Sequence, residues 1–132
     1  MDLKDFSDHY DYKYDAKGRD KWHVIKQDPD GIYRGDCEDY ALSVLYYVVC
    51  NQSWLKFWLY LTIFRAQLCG VDDKNGKGHA VLRYRNEYID NWTKKWVSRE
   101  DMEELGHEFH PWHKTILPST VAIKLLLAKV NP

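Results

Sequence analysis

The chain has 132 residues, with 19 Lys plus Arg against 20 Asp plus Glu, 45% hydrophobic and 15% aromatic residues. This is the length and composition of one packed domain, which excludes a disordered chain. The near-zero net charge excludes a global field that would attract nucleic acid or an anionic bilayer.

Residues 1–20 are rich in Tyr and Asp and reach Gly18 without a hydrophobic period, so an N-terminal arm or a short helix is expected, followed by a single domain over 21–132. The N-terminus lacks the basic segment and apolar core of a secretion signal. The longest apolar run, "WLKFWLYLTIF", is too short for a membrane span and contains Lys56. A cytoplasmic protein is expected, with no nucleic-acid or membrane partner. Cys37, Cys50 and Cys69 are an odd number, so reduced thiols are expected rather than a disulfide framework.

Residues 21–35 hold "DPDG", a turn signal, and should cross the surface before the first major element. That element is a helix over about 36–51. Asp36 is a good N-cap, Asp39 completes a capping box, and acidic residues in the first turn suit the helix dipole. Cys37, Ala41, Val44, Leu45 and Val48 recur at helical spacing on one face.

The aromatic and β-branched density of Trp58 to Cys69 predicts a long buried strand, and "GVDDKNGKG" a loop. Residues 79–92 read as two strands around a tight turn near Arg85 and Asn86. Ser98 starts a short helix that Gly106 stops. "HEFHPWHKTILP" is irregular because of its two prolines. The final "STVAIKLLLAKV" fits a strand or a helix, and its β-branched start favours the strand. A helix followed mainly by antiparallel strands gives an α+β fold.

Chemistry concentrates in three places. A cysteine between carboxylates at a helix start is placed as a nucleophile: unpaired N–H groups favour the thiolate and a developing oxyanion, while Asp36, Glu38 and Asp39 oppose the thiolate and call for an imidazole. His79 opens a strand, and Asp90 follows on the return strand. For a hairpin loop with an even number of residues the two face the same side, directly opposed or one diagonal apart, so an acid can orient a ring. Cys50 and Cys69 end apolar elements and read as packing residues. His107, His110 and His113 in "HEFHPWH" fit a surface loop better than a zinc site, because Pro111 interrupts any helix through them. Trp22 and Trp92 flank the candidate residues and are placed as walls of a cleft.

"GDCEDYA" at a helix start, "GHAVL" opening a strand and "YIDN" on the next resemble the bacterial transglutaminase-like cysteine proteinases of the papain-like and transglutaminase superfamily. The resemblance covers about residues 20–100 and implies a papain-like core with the Cys-bearing helix packed on an antiparallel sheet. It also implies a thiol-dependent hydrolase of peptide or isopeptide bonds, with Cys37 as nucleophile, His79 as general base and acid, and Asp90 as orienting residue. The same constellation can serve transglutaminase or deamidase chemistry, and a non-catalytic binding module is the reading from another class. A protein or peptide substrate is implied and no cofactor is required. In one periplasmic, adhesin-cleaving branch, carboxylates beside the cysteine help hold calcium, and Asp36 and Glu38 match those positions. This chain differs from that branch in its compactness and short His-to-Asp hairpin, and its size suits a small phage-encoded relative.

Overall fold

The computed structural model describes residues 1–14, 22–111 and 115–130. In chain order the elements are α1 (Leu3–Asp8), β1 (Tyr10–Tyr12), β2 (Tyr33–Gly35), α2 (Cys37–Ser43), a π-helical turn (Val44–Val49) and α3 (Trp54–Thr62). There follow β3 (Ala66–Asp72), β4 (Gly78–Tyr84), β5 (Glu87–Ile89), α4 (Arg99–Glu104), β6 (Glu108–Phe109) and α5 (Pro118–Val130). The fold is α+β. Four strands form an antiparallel sheet in the order β5-β4-β3-β6, and β1 and β2 form a separate parallel pair.

The main core lies between the helices and one face of this sheet. Phe6, Tyr40, Leu42, Leu45, Phe57, Leu68, Leu82 and Ile89 are all buried in it. A smaller cluster of Val71, Val81, Tyr88 and Met102 packs α4 against the opposite face. Alternation along β3 and β4 produces both faces from one pair of strands.

Residues near the N-terminus belong to the main core. Of the arm or short helix expected there, the short helix is present, capped and followed by a strand. The Asp2 carboxylate accepts the Asp5 N–H, Phe6 is fully buried against the Tyr33 and Tyr40 rings, and β1 pairs with β2 from Tyr10–Tyr33 to Tyr12–Gly35. The Tyr10 hydroxyl donates to the Gly35 carbonyl at 2.8 Å, and the Ser7 and Tyr40 hydroxyls share a hydrogen bond of 2.8 Å. Since β2 runs directly into Asp36, these contacts brace the start of α2. Gly35 is packed tightly there: a Cβ at this position would come within 2.8 Å of both Asp39 Cβ and Ile25 Cδ1. Residues 15–21, including Gly18, lie outside the described residues.

The expected helix over 36–51 starts at the expected cap and then changes character. After Ser43 the chain widens into a π-helical turn, closed by Cys50 N–H to the Leu45 carbonyl at 2.8 Å. Ala41, Val44 and Leu45 keep the buried stripe, whereas residues 46–49 are all partly exposed.

Two elements differ from expectation. The strand expected over Trp58 to Cys69 is the end of α3 followed by β3. Ser53 caps α3 through Lys56 N–H at 3.2 Å, Phe57 and Leu61 bury one face at i, i+4, and a left-handed Phe64 (φ 56°) ends the helical path. The Ser53 cap and the core packing of Phe57 and Leu61 overrode β-favouring composition. The final segment is a helix, not a strand. Pro118 occupies its first position, where no N–H is needed, and the Ala, Leu and Lys that follow are strong helix formers. The expected hairpin is present: Tyr84 pairs with Glu87 across a two-residue turn in which Arg85 has φ 57°. Ser98 caps α4 with a capping box, and Gly106 follows its end at φ 95°.

Replacing Phe6 by Ala is expected to cost about 3–5 kcal/mol in denaturant unfolding, the cost of a core cavity. A residue on a loose arm would change the midpoint little.

Candidate active site

Local rules place the thiol. The Asp36 carboxylate accepts the Asp39 N–H at 3.1 Å and the Asp39 carboxylate accepts the Asp36 N–H at 3.3 Å, so α2 begins with Cys37 as its first residue. Asp39 is fixed further by the His23 N–H, which donates to it at 2.7 Å. The Cys37 thiol donates to Glu38 Oε2 at 3.2 Å. Burial pushes this thiol far above its ordinary range. The Glu38 charge and hydrogen bond and the Asp36 charge push the same way, while the backbone N–H of Ala80 opposes them. The resting thiol is therefore protonated.

Ala80 is the residue after His79. Helix α2 packs on β4, so the nucleophile candidate lies against the strand that carries the imidazole. His79 Nε2 and Asp90 Oδ2 are 2.9 Å apart. The register that pairs Leu82 with Ile89 puts Asp90 one diagonal from His79, one of the two arrangements that facing allows. No hydrogen bond joins the Cys37 sulfur to His79. The structure thus joins two of the three expected residues directly and sets the third beside them with its S–H turned to Glu38.

Asp90 has more partners than the sequence suggests. It is fully buried, its Oδ1 accepts the backbone N–H groups of Trp92 (3.2 Å) and Thr93 (2.7 Å), and its Oδ2 also lies 2.8 Å from His107 Nε2. Burial pushes the carboxyl up. The hydrogen bonds from His79, Thr93 and His107 outweigh it and hold the group at about 2 against an ordinary 3.8. An ionised carboxylate can only accept, so both imidazoles carry their proton on Nε2. In the neutral ring His79 Nδ1 then carries the lone pair, with no hydrogen-bond partner among the described residues, and it is the atom a general base needs. His107 Nδ1 is fully buried and has none either.

Trp92, expected as a cleft wall, lies face to face on His79 with ring centroids 3.9 Å apart and planes 8° from parallel. It meets His107 edge-on at 5.4 Å. The indole shields the His79–Asp90 pair while remaining 54% exposed itself. A cavity of about 640 Å³ opens beside it, lined by Asp73, Lys74, Thr93, Lys95, Leu105 and His107 among others. Cys37 is not on that lining. Trp22 is buried in the main core, with the Lys124 ammonium 5.8 Å from its ring. The Gln27 amide donates to the Gly31 carbonyl at 2.9 Å in the turn at 28–31.

His107 is the residue that sequence reasoning missed as a partner of Asp90. The three histidines of "HEFHPWH" separate: His107 reaches Asp90, His110 Nε2 reaches Asp72 Oδ1 at 3.0 Å, and His113 lies outside the described residues. Its signal is tertiary, since β6 pairs with β3 over only two residues, Val71–Phe109 and Asp72–Glu108.

His79, Asp90 and His107 offer three ligand atoms within 4.8 Å of one another, a set that suits a metal such as zinc. A metal there would displace both Nε2 protons and occupy the group that orients His79. The calcium candidates are engaged elsewhere: Asp36 caps α2 and Glu38 accepts the thiol. Cys50 is buried and Cys69 half-buried, and burial pushes both thiols to about 11.

No protein-family model matches the chain, and neither a curated protein nor a solved structure does.

Asp90 has a lowered folded-state pKa, so its contribution is fully present above the unfolded value and lost as pH falls through the folded one. The advantage of the wild type over Asp90→Asn should shrink by about 2 kcal/mol from pH 3.8 down to about 2, read from urea unfolding at stepped pH. Glu38→Gln keeps the side chain's shape and removes the charge that, after burial, contributes to holding the thiol protonated. Alkylation of Cys37 at neutral pH should then accelerate by about tenfold, one pKa unit.

Proposed function

We propose that the chain is a thiol-dependent hydrolase of peptide or isopeptide bonds, built on a papain-like and transglutaminase-like core. The observation that carries this reading is the buried His79–Asp90 hydrogen bond on the strand against which the Cys37 helix packs. The resemblance of "GDCEDYA", "GHAVL" and "YIDN" to the bacterial transglutaminase-like cysteine proteinases supports it.

In the proposed reaction the Cys37 side chain turns from Glu38 towards His79 and gives its proton to Nδ1. The sulfur attacks the substrate carbonyl carbon, and the Cys37 backbone N–H supplies one donor to the oxyanion. His79 returns the proton to the leaving amine as the C–N bond breaks, leaving a thioester. Water then attacks the thioester carbonyl, giving a proton to His79; the C–S bond breaks, the Cys37 sulfur takes that proton back from His79, and the carboxylic acid leaves. Asp90 keeps the imidazole in its Nε2–H tautomer and stabilises the imidazolium formed in each half-reaction. If an amine reaches the thioester in place of water, the same residues perform transglutamination; a glutamine substrate with water gives deamidation.

A binding module that has lost turnover is the second reading, and one observation favours it: the thiol is held protonated by burial and by Glu38. Iodoacetamide labelling against pH separates the two. A hydrolase has Cys37 labelled near neutral pH, well before Cys50 and Cys69, and His79→Ala abolishes that early reaction. In a peptide-library assay Cys37→Ala should remove cleavage, and His79→Ala should cost about 10²–10⁴-fold. If all three thiols react alike in the folded protein, or Cys37 reacts last, the hydrolase reading fails.

A further inference from the structure

The small net charge conceals a sharp segregation. All 20 carboxylate side chains fall within residues 2–39 and 72–108, while residues 40–71 and 109–132 contain none. Helices α3 and α5 come from those two acid-free stretches, and they touch each other.

Both helices are apolar on both sides. On α3, Phe57 and Leu61 face the core, while Leu55 (80% exposed), Leu59 and the C-cap residue Ile63 recur every four residues on the side turned away from it. On α5, Val121 and Ala128 are buried, while Ile123, Leu126 (61% exposed) and Leu127 point away. A surface helix ordinarily carries polar residues on its outer side, and a helix apolar all round is normally covered. Exposed apolar residues this concentrated mark a docking site.

The margins of the face are aromatic and cationic. Exposed Trp54 and Phe64 bracket α3 at its two ends. Phe64 is presented by a left-handed backbone at φ 56°, its carbonyl accepts the Arg83 guanidinium at 2.6 Å, and Arg65 follows it over the Tyr60 ring at 4.9 Å. Lys56 and Lys129 are exposed on the helices themselves. A second copy would bring these cations together with no carboxylate on either helix to pair with them. Neither the cavity beside Trp92 nor a second one lined by Cys69, Arg83 and His110 includes a residue of this face. An anionic bilayer needs no groove. Its interface accepts aromatic rings, its acyl boundary accepts Leu and Ile, and its headgroups accept lysines reaching outward.

We propose that the outer face of α3 and α5 docks the protein onto an anionic lipid surface. The helices would lie in the interface rather than cross it, and among the described residues no helix is long and apolar enough to span a membrane. This inference is independent of the chemistry at Cys37.

The test is co-sedimentation of the full chain with vesicles of phosphatidylcholine alone and of phosphatidylcholine mixed with phosphatidylglycerol. Binding is expected on the mixed vesicles only, weakening as salt is raised. Leu59→Glu combined with Leu126→Glu should abolish it without lowering the melting temperature, because both positions face away from the core. Lys56→Ala and Lys129→Ala should each weaken it about fivefold. Absence of the wild type from the vesicle pellet overturns the proposal, as does equal binding to neutral vesicles. A concentration-dependent dimer in sedimentation velocity that the double glutamate variant dissolves also overturns it, and reassigns the face to contact between copies.

Discussion

A single buried carboxylate organises one end of this molecule. Asp90 has no exposed surface and receives four N–H groups, two from imidazoles and two from the backbone that follows it. Removing an ionised carboxylate from water is costly unless its oxygens are fully served. That requirement holds the turn after β5, fixes the orientation of His79 on β4 and draws in His107 at the mouth of β6. Segments far apart in sequence are thereby tied to one residue, and Trp92, which follows Asp90 by two positions, is delivered onto the His79 ring.

Cys37 lies under opposing influences. Its place at the first position of a helix and the nearby Ala80 N–H favour a thiolate, while burial and the Glu38 and Asp36 carboxylates oppose it, and the opposition prevails at rest. A cysteine kept as a thiol is protected from oxidation, because the thiolate is the form that reacts. Under the hydrolase reading, the cost is that proton removal and movement of the sulfur must occur together. The brace formed by α1, β1 and β2 bears on the same point: it fixes the helix start, leaving side-chain rotation at Cys37 as the simplest motion that changes the thiol's partner.

What could be read from sequence was governed by local rules. The capping box at Asp36 is a three-residue relation between a side chain and a backbone N–H, and it is present, as is the helix start at Ser98. The facing of His79 and Asp90 follows from strand parity across a short turn, which needs no knowledge of the rest of the fold. His107 was out of reach because its partner is set by a two-residue strand whose pairing is entirely tertiary. Helices α3 and α5 misled for a common reason: they are apolar on both sides, so the periodicity that identifies a surface helix is weak in them. The two errors and the bare face thus have one origin.

Gly35 carries a warning for mutational mapping of this chain. Its missing side chain is what lets β2 pass against Asp39 and Ile25, with only 2.8 Å available to an added methyl group. Asp39 cannot retreat, since its carboxylate is bound to backbone N–H groups of Asp36 and His23. An alanine there would displace the cap and the sulfur together, so a change at a chemically silent position would register at Cys37.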